Sequence, residues 1–492
     1  MLPPLMKHTL LRTGAIFIGK CIGLVGRILL TRLLGAEGIG LYQIVYSFFG
    51  IAIMLITGGL PTVLALFTVN DPARGWIVFR NICLYIVLIG TAFSFMLYMN
   101  AGSIASLLGN EQLTKALRAL APALLVVPLL QLLRGYMQGI EQYGAISFSE
   151  MAEQLVRVAL MLTLVMLFLP DGMEAALGAG IIGTTAGALA AFFILLLYNA
   201  KAVQFRTTPV RPQHNDKYMG YLIRTSLIIG FTRMLVPASD FIDSILIPRR
   251  LQAAGYTVPE SIAMYGIITG MALVLAYVPT IVTAALSHTI SMKIAAYFQQ
   301  GQLTKYHRHI EDVMKLAWTW GLISGVFLFH YAEPLSSMIF GTSAAAEPIR
   351  YLSGIPLIVG IRELTTSILW IQGRKNTPLT GLIVGMVVSM LLLYFLLAIP
   401  GFGYIAAAIG VLSLETVAMF WNIHRLIRQG TSLFKVRWIR MDLILFIGAS
   451  MVIMPYMQME RLTLYQVLCS MFIYWTCGGW IVGLRMRKFN KE

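Results

Sequence analysis

Long apolar runs separated by short polar loops set the pattern of this chain from beginning to end. Most runs contain about 20 residues, the length that an α-helix needs to cross the hydrocarbon core of a bilayer. Loops this short leave no room for a soluble domain. We therefore predict an all-α polytopic membrane protein with about fourteen transmembrane helices. The predicted spans cover residues 10–33, 39–68, 77–99, 116–139, 151–169, 175–198, 220–247, 262–290, 312–331, 349–371, 379–399, 403–424, 441–459 and 463–484.

The first two runs are the most informative part of the chain, because two cations interrupt the first run. A short turn at residues 35–38 joins the runs, and Lys20 and Arg27 share one face of the first helix. A cation in the middle of a membrane helix costs roughly 2.5–3.5 kcal/mol, so such residues usually face a polar interior. We predict that this helix lines a water-filled, cationic cavity. Gly19 and Gly23 predict the close approach of a second helix.

The composition agrees with a membrane protein. Of the 492 residues, 58% are hydrophobic and 12% are charged, whereas soluble chains carry about a quarter charged residues. The net charge of +16 comes mainly from short loops on one side of the predicted spans. The positive-inside rule then places both termini in the cytoplasm, and no nucleic-acid partner is expected. The first run should remain as a span, because cations interrupt it and no convincing cleavage site follows.

A weak internal repeat divides the predicted spans into two halves. The dipeptide RT opens the first span at residues 12–13 and the seventh at 224–225. LYQIVYSFFG, followed later by Pro61, has its counterpart in MYGIITGMAL, followed by Pro279. This pattern predicts two six-helix lobes related by a pseudo-two-fold axis along the membrane normal, with a substrate path between them. The predicted parts are an N-terminal lobe at 1–199 (spans 1–6), a cytoplasmic linker at 200–219, a C-terminal lobe at 220–425 (spans 7–12), and spans 13 and 14 with a cytoplasmic tail at 426–492.

The seventh span carries a dense set of polar residues. Arg233, Pro237, Asp240 and Ser244 follow one helical face, and Asp243 lies three residues beyond Asp240. By the repeat, this span is the partner of the first. We therefore expect its mixed charges to face the cations of the first lobe.

Two interpretations of these charges remain open. In the functional one, Lys20, Arg27 and Arg233 bind a phosphate-bearing headgroup. Asp240 and Asp243 then hold a cation, or exchange salt bridges as the cavity closes. In the structural one, the same side chains form a fixed ion-pair network that only stabilises the helix bundle.

Other charges inside apolar runs are weaker signals. Glu153 and Arg157 are an i, i+4 pair on the fifth span and are expected to neutralise each other, with Glu150 and Arg134 as additional members. Glu363 and Glu415 are weaker candidates for cavity residues. No histidines or cysteines have metal-ligand spacing, so we expect no metal and no cofactor. Sodium, a proton or the membrane potential is the expected source of coupling energy.

Three prolines inside apolar runs are candidate hinges. Pro61, Pro237 and Pro279 are placed to kink or hinge spans 2, 7 and 8. Two tyrosines on the second span, Tyr42 and Tyr46, are interpreted as residues of the membrane interface. Contact with a sugar is the alternative for this pair.

Over essentially its whole length the chain resembles the stage V sporulation protein B and polysaccharide-transporter family. The resemblance is carried by LLTRLLGAEGIGLYQIVYSFFGI and by LIPRRLQAAGYTVPESIAMYGIITGMALVLAYVPTIVTAALSHTIS. That family belongs to a superfamily with lipid II flippases and multidrug exporters. The resemblance implies a transporter rather than an enzyme. It would flip an undecaprenyl-pyrophosphate-linked sugar or peptidoglycan precursor across the cytoplasmic membrane by alternating access, and we expect it to be a monomer.

The resemblance also bears on single residues. Lipid II flippases of that superfamily line their cavity with first-span arginines, and Lys20 and Arg27 occupy similar positions at a slightly different spacing. The cavity arginines of those proteins on the second and eighth spans have no counterpart here, so the substrate stays open. Asp240 and Asp243 are similar to a seventh-span acid that is associated with cation binding in the superfamily.

Two rival functions remain open. A proton- or sodium-coupled drug exporter of the same superfamily needs a mainly acidic cavity, against which Lys20 and Arg27 argue. A membrane-embedded glycan polymerase or ligase needs catalytic groups on a sizeable outward loop, but the predicted outward loops are short and poor in Asp, Glu and His. The sequence does not determine the sugar, the direction of transport or the process, whether sporulation, wall synthesis or capsule export.

Overall fold

The computed structural model describes residues 4–203, 216–431, 433–434, 436–457 and 464–490, and these residues form helices without any strand. The helices of the first half are α1 Pro4–Thr57, α2 Leu60–Asn70, α3 Pro72–Met99, α4 Ala101–Leu108, α5 Thr114–Leu120, α6 Ala123–Gly139, α7 Tyr143–Phe168, α8 Met173–Val203 and α9 Asp216–Ala253. Those of the second half are α10 Val258–Tyr265, α11 Leu273–Tyr277, α12 Thr280–Gln299, α13 Leu303–His330, α14 Ala332–Phe340, α15 Ala346–Tyr351, α16 Ile355–Ile371, α17 Asn376–Leu396, α18 Gly403–Ile427, α19 Val436–Met457 and α20 Leu464–Asn490. Two 3₁₀ segments, Glu111–Leu113 and Leu169–Asp171, and a π-helical segment, Gly266–Ala272, complete the set.

Many of these helices have the length and composition of membrane spans. Ten of the described helices can cross a membrane by these criteria, or eleven if the bent pair Glu111–Leu120 and Ala123–Gly139 forms one span. The chain is therefore a multi-pass, all-α membrane protein, and this part of the sequence prediction is confirmed. The count of ten treats α1 as one helix although a single residue breaks it. The number fourteen remains a prediction.

The packing divides the chain into two compact units, residues 1–245 and 246–492. The division falls inside α9, a helix of 38 residues. The first unit contains α1 to α8 and most of α9, and the second contains the remaining helices. The predicted lobe limits, with the first lobe ending at residue 199, remain a prediction. Residues 204–215 of the predicted linker lie outside the described part of the chain.

The predicted hairpin at the start of the chain is formed without a loop. Only Gly35 departs from helical geometry within α1, with φ 69° and ψ −169°. Glycine adopts a positive φ at little steric cost because it has no Cβ, so one residue is enough to break the helix. The predicted four-residue turn at 35–38 is thus a one-residue break.

Each half of the predicted repeat interrupts a helix beside its proline. After α1, Gly58 has φ 51°, and α2 begins two residues later with Pro61 in its first turn. In the second unit, Pro279 separates α11 from α12, and its carbonyl oxygen accepts a 2.9 Å hydrogen bond from Nε1 of Trp320. The repeat therefore predicts the position of both breaks, although glycine rather than proline makes the first one.

Glycines allow two neighbouring helix pairs to pack backbone against backbone. A Cβ added at Gly183 of α8 would lie 2.7 Å from the carbonyl oxygen of Arg157 on α7. One at Gly187 would lie 2.7 Å from the carbonyl oxygen of Glu153. In the second unit, Gly385 of α17 makes a similar approach to α18. Small residues at such interfaces are the usual means of close helix packing in membranes.

The second unit has a core of buried side chains from α12, α13, α16 and α18. Tyr306 lies in this core, and its hydroxyl accepts a 2.9 Å hydrogen bond from Nε2 of Gln372. Lipid is as apolar as these side chains, so close packing and polar contacts between helices, rather than exclusion of water, hold such a core together.

Candidate functional site

The helix α1 carries both the first-span cations, Lys20 and Arg27, and the glycine pair Gly19 and Gly23. Lys20 is exposed and Arg27 is partly exposed. Both glycines of the predicted close-approach pair face Gln154 of α7: a Cβ added at Gly23 would lie 3.4 Å from its Oε1, and one at Gly19 would lie 3.8 Å from its Cγ. The predicted approach of a second helix is confirmed, and that helix is α7.

Gln154 connects this face of α1 to a third cation. Its Oε1 accepts a hydrogen bond from Nη2 of Arg157, which lies one helical turn further along α7. The same oxygen lies against Gly23, so the guanidinium of Arg157 is held close to α1. Like Arg27, Arg157 is partly exposed. A cation that the sequence interpretation assigned to an internal pair therefore lies beside the first span.

Glu153 has a different ion-pair partner from the one expected. Its Oε2 lies 2.7 Å from Nη1 of Arg134 on α6. Arg134 also donates a 3.1 Å hydrogen bond from Nη2 to Oγ of Ser149. Glu153 stays within electrostatic range of Arg157, but its hydrogen-bonded ion pair is with Arg134. The expected participation of Arg134 is therefore confirmed, and the salt-bridge partner of Glu153 is Arg134 rather than Arg157.

Tyr42 and Tyr46 contribute their hydroxyls to the interior of the first unit. Their ring centroids are 4.3 Å apart. The hydroxyl of Tyr42 donates to Sδ of Met161 on α7 at 3.6 Å, and that of Tyr46 is hydrogen-bonded to Oγ1 of Thr184 on α8. Contacts between helices do not fit the predicted position at the membrane interface, where the hydroxyls would meet water and headgroups.

Two arginines from different helices converge on these tyrosines. Arg27 and Arg157 both interact electrostatically with the hydroxyl of Tyr42, and Arg157 also with that of Tyr46. We call Arg27, Tyr42, Tyr46, Gln154 and Arg157 the cationic cluster. It lies within the first unit and combines two guanidinium groups with neutral hydrogen-bonding groups. Guanidinium groups match the oxygen geometry of phosphate, so the arrangement suits a phosphate-bearing ligand.

The charges of the seventh span lie on α9, which contacts α1. On α9, the ring centroid of Phe241 is 6.1 Å from that of Phe48 on α1. Arg233 and Asp240 are exposed, and Asp243 is partly exposed with a buried Oδ1 that has no hydrogen-bond partner. The predicted meeting of the two charge sets, and the roles of Arg233, Asp240 and Asp243, remain predictions.

The three candidate hinge prolines occupy different positions. Pro61 lies in the first turn of α2, directly after a break, and Pro279 immediately precedes α12. Pro237 lies inside α9, which continues as a helix through it, and a Cβ added at Gly50 would lie 3.8 Å from its side chain. A role as a hinge remains a prediction for all three.

The second unit contains a closed polar cluster formed by Tyr277, Arg362 and Glu415. Nε of Arg362 on α16 forms a salt bridge with Oε2 of Glu415 on α18. The hydroxyl of Tyr277 donates a 3.0 Å hydrogen bond to Oε1 of the same carboxylate. The side chain of Glu415 is only 8% exposed, which favours a structural role. Glu363 is partly exposed on α16, and the cavity role of both acids remains a prediction.

The sequence interpretation missed Gln154 and Arg157 as neighbours of the first span. The sequence does contain a signal for them: Glu150, Glu153, Gln154 and Arg157 recur at i, i+3, i+4 and i+7, a polar stripe along an apolar helix. A stripe of this kind predicts a shared face. It does not say which helix packs there, and only the structure identifies α1.

Comparison with known proteins shows what the chain is similar to. A family model described as "Polysaccharide biosynthesis protein" matches residues 5–284, more than half of the chain. Stage V sporulation protein B of Bacillus subtilis (strain 168) is 26% identical over 418 residues, which cover 83% of this chain and 80% of that protein. Lipid II flippase MurJ of the same organism is 22% identical over 416 residues, covering 79% and 76%.

A solved structure shares the fold. The structure of lipid II flippase MurJ in an inward closed conformation matches with a TM-score of 0.71 and 13% identity, covering 98% of this chain and 99% of that chain. At this identity the likeness shows the fold alone. Together with the two relatives, it confirms the resemblance that the sequence indicates.

Proposed function

The chain belongs to the polysaccharide biosynthesis protein family, and from this premise we propose that it is a flippase or exporter of lipid-linked glycans. The substrate is an undecaprenyl-pyrophosphate-linked oligosaccharide or a peptidoglycan precursor similar to lipid II. Two relatives support this proposal: stage V sporulation protein B, and a protein named as a lipid II flippase. The function is transport, without formation or cleavage of a covalent bond.

The cationic cluster is the observation that carries the proposal. Arg27 and Arg157 lie on neighbouring helices of a membrane protein, and both are partly exposed. Cations inside a membrane are costly and are usually kept at substrate or ion pathways. A pyrophosphate carries negative charge and oxygen acceptors, so it can offset that cost while it is bound.

The proposed transport cycle follows from the charge distribution. Both termini lie in the cytoplasm at the cell membrane, because the basic loops lie on that side of the predicted spans. The headgroup binds the cationic cluster and Lys20, while the polyprenyl tail stays in lipid. The headgroup then crosses by alternating access between two lobes. A monomer suffices, and the driving force is the membrane potential or a sodium or proton gradient, of which the potential supplies about 2.3 kcal/mol per charge per 100 mV.

Charge reversal at Arg27 tests the proposal. The Arg27→Glu variant is reconstituted in liposomes with a fluorescent lipid-linked pyrophosphate sugar, and flipping is measured as loss of accessibility to an external reagent. We expect the flipping rate to fall tenfold or more, because the proposed hydrogen bond from Arg27 to the phosphate is replaced by repulsion between two negative charges. The lost bond alone is worth roughly 1.5–3 kcal/mol. Arg80→Glu, at an exposed position of α3, is the matched control and should keep activity.

Folding is checked separately by gel filtration in detergent, and Arg27→Gln replaces Arg27→Glu if the reversed charge prevents insertion. Normal flipping by a well-folded Arg27 variant would remove this residue from the mechanism. Absence of flipping by the unmodified protein, with every lipid-linked pyrophosphate sugar tried under an imposed potential and an ion gradient, would overturn the proposed function.

A further inference from the structure

One carboxylate and three tyrosines lie together at one end of the second unit. Tyr256 directly precedes the N-cap of α10, Glu347 and Tyr351 belong to α15, and Tyr404 lies in the first turn of α18. The hydroxyl of Tyr351 donates a hydrogen bond to Oε1 of Glu347. Tyr404 lies within electrostatic range of Glu347 and of the hydroxyl of Tyr256. We call these four residues the tyrosine cluster.

The tyrosine cluster offers a ligand both hydrogen-bond donors and an acceptor. Within the described part of the chain, the hydroxyls of Tyr256 and Tyr404 and Oε2 of Glu347 have no hydrogen-bond partner. Glu347 is exposed, and both tyrosines are partly exposed. The cation of the same helix, Arg350, forms its salt bridge with Glu333, with 3.6 Å between Nη2 and Oε2. Glu347 therefore keeps its negative charge and an oxygen that can accept from a ligand.

Backbone contacts hold the two tyrosines of α10 and α18 in place. The backbone N–H of Tyr256 donates a 3.2 Å hydrogen bond to a carbonyl in the last turn of α9. Thr257 and Glu260 then form a capping box that fixes the first turn of α10. Beside Tyr404, a Cβ added at Gly403 would lie 3.4 Å from the hydroxyl of Tyr256. Side chains on an anchored backbone lose less freedom when a ligand binds, which favours affinity.

A sugar ring matches this combination of groups. Its edge carries hydroxyls that both donate and accept hydrogen bonds, and its face carries C–H groups. A tyrosine has an apolar ring face for the C–H groups and a hydroxyl for the edge, and a carboxylate accepts from sugar hydroxyls. An organic cation would use the carboxylate and the ring faces, but it would leave both phenol donors without an acceptor. The donors therefore favour a sugar.

We infer that the tyrosine cluster is a saccharide-binding site. It belongs to the second unit, whereas the cationic cluster belongs to the first, so the glycan and the phosphate are bound by different residues. In the topology proposed above, the loops before α10, α15 and α18 face outward. The cluster then receives the glycan after the headgroup has crossed the membrane. The inference rests on the proposed function for the source of the saccharide.

The test measures binding of soluble sugars to the full-length protein in nanodiscs by saturation-transfer NMR. The probes are glucose, galactose, mannose, N-acetylglucosamine and a disaccharide of each, with tetramethylammonium as the cationic alternative. We expect a sugar of this set to bind, and Glu347→Ala to weaken its binding about tenfold or more, the usual loss for a hydrogen bond to a charged group. Tyr404→Phe keeps the ring and removes the hydroxyl, so it should weaken binding about twofold to tenfold.

The matched control is the double variant E333Q/R350Q, which removes the neighbouring salt bridge without changing the net charge. It should keep the affinity of the unmodified protein, and gel filtration checks the folding of every variant. Binding of no sugar, binding of tetramethylammonium alone, or a sugar affinity that neither Glu347→Ala nor Tyr404→Phe changes would overturn the inference.

The flipping assay distinguishes this inference from the proposed function. If the unmodified protein flips a lipid-linked sugar but binds none of the soluble sugars, the inference fails and the proposed function stands. If it binds a sugar through Glu347 and Tyr404 but flips no lipid-linked sugar, the proposed function fails and the saccharide-binding site stands.

Discussion

The cationic cluster of the first unit and the polar cluster of the second both place arginines inside apolar helices, but the two clusters compensate the charge in different ways. In the second unit, Arg362 meets the buried carboxylate of Glu415, and Tyr277 donates to the other carboxylate oxygen. In the first unit, Arg157 meets a neutral amide, and Arg27 lies within electrostatic range of the phenol of Tyr42. In the second cluster the charges of Arg362 and Glu415 cancel, whereas the first cluster keeps a net positive charge.

If the proposed function holds, this difference separates charges with a structural role from charges that bind substrate. A buried arginine with a carboxylate partner contributes to specific packing, and its removal leaves an uncompensated charge behind. An arginine with neutral partners costs free energy in the unliganded protein and recovers it when an anion binds. Stability should therefore respond most to changes in the second unit, and substrate binding to changes in the first.

Breaking the salt bridge of the second unit should have the largest effect on stability. Arg362→Gln leaves Glu415 buried without a counter-charge, which should lower the free energy of unfolding by about 3–5 kcal/mol. The double variant R362Q/E415Q removes both charges and should recover most of this loss. Denaturant titration of the purified protein in mixed micelles measures both values.

Arg157→Gln is the control from the first unit, because it removes an arginine whose hydrogen-bond acceptor is neutral. It should lower the free energy of unfolding by about 1.5–3 kcal/mol at most, the worth of a hydrogen bond from a charged group, because no buried counter-charge is left behind. Equal losses in the free energy of unfolding for Arg362→Gln and Arg157→Gln would contradict the distinction between the charge-paired cluster of the second unit and the net-positive cluster of the first.

Much of the architecture follows from the sequence, because apolar length and helical period are local properties. The runs of apolar residues predict the helices, and the repeat predicts breaks near Pro61 and Pro279. Gly19 and Gly23 predict a close helix contact that the structure confirms at Gln154. Each of these inferences needs only residue size, polarity and spacing along one segment.

The composition of the site was harder to predict, because it depends on which helices meet. Glu153 has Arg157 one turn away on its own helix, yet its salt bridge is with Arg134 on another. Tyr42 and Tyr46 have the amphipathic character of interface residues, but α7 and α8 supply partners for their hydroxyls. Whether a side chain finds its partner on its own helix or on another depends on three-dimensional packing. The residue pattern of one helix does not specify that packing.

The next largest effect on stability is expected from replacing a closely packed glycine, which can be done in each of the two units. A Cβ at Gly187 would lie 2.7 Å from the carbonyl oxygen of Glu153, and one at Gly385 would lie 2.5 Å from that of Leu414. Both Gly→Ala variants should lower the free energy of unfolding by about 1–3 kcal/mol, because the helices must separate. Gly187→Ala should also reduce flipping at a temperature where both variants are folded, because it displaces α7 and Arg157.

Gly102→Ala is the control for this pair. Gly102 lies in α4, and nothing is within 4 Å of a Cβ added there. The change should be neutral or slightly stabilising, since alanine favours a helix over glycine by up to about 1 kcal/mol. A flipping defect in Gly385→Ala as large as that in Gly187→Ala would show that transport depends equally on the packing of both units.

The smallest predicted effects come from two tyrosine hydroxyls, one from each cluster. Tyr277→Phe removes a 3.0 Å hydrogen bond to the buried carboxylate of Glu415 and should lower the free energy of unfolding by about 1–2 kcal/mol. Tyr42→Phe removes a 3.6 Å contact with Sδ of Met161, a weak acceptor, and an interaction with the hydroxyl of Tyr46, and should cost about 0.5–1 kcal/mol. The same denaturant titration resolves this difference when the two variants are measured side by side. If Tyr42→Phe proved the more destabilising, the hydroxyl of Tyr42 would have a structural role like that of Tyr277. The net positive charge of the cationic cluster would then no longer indicate ligand binding.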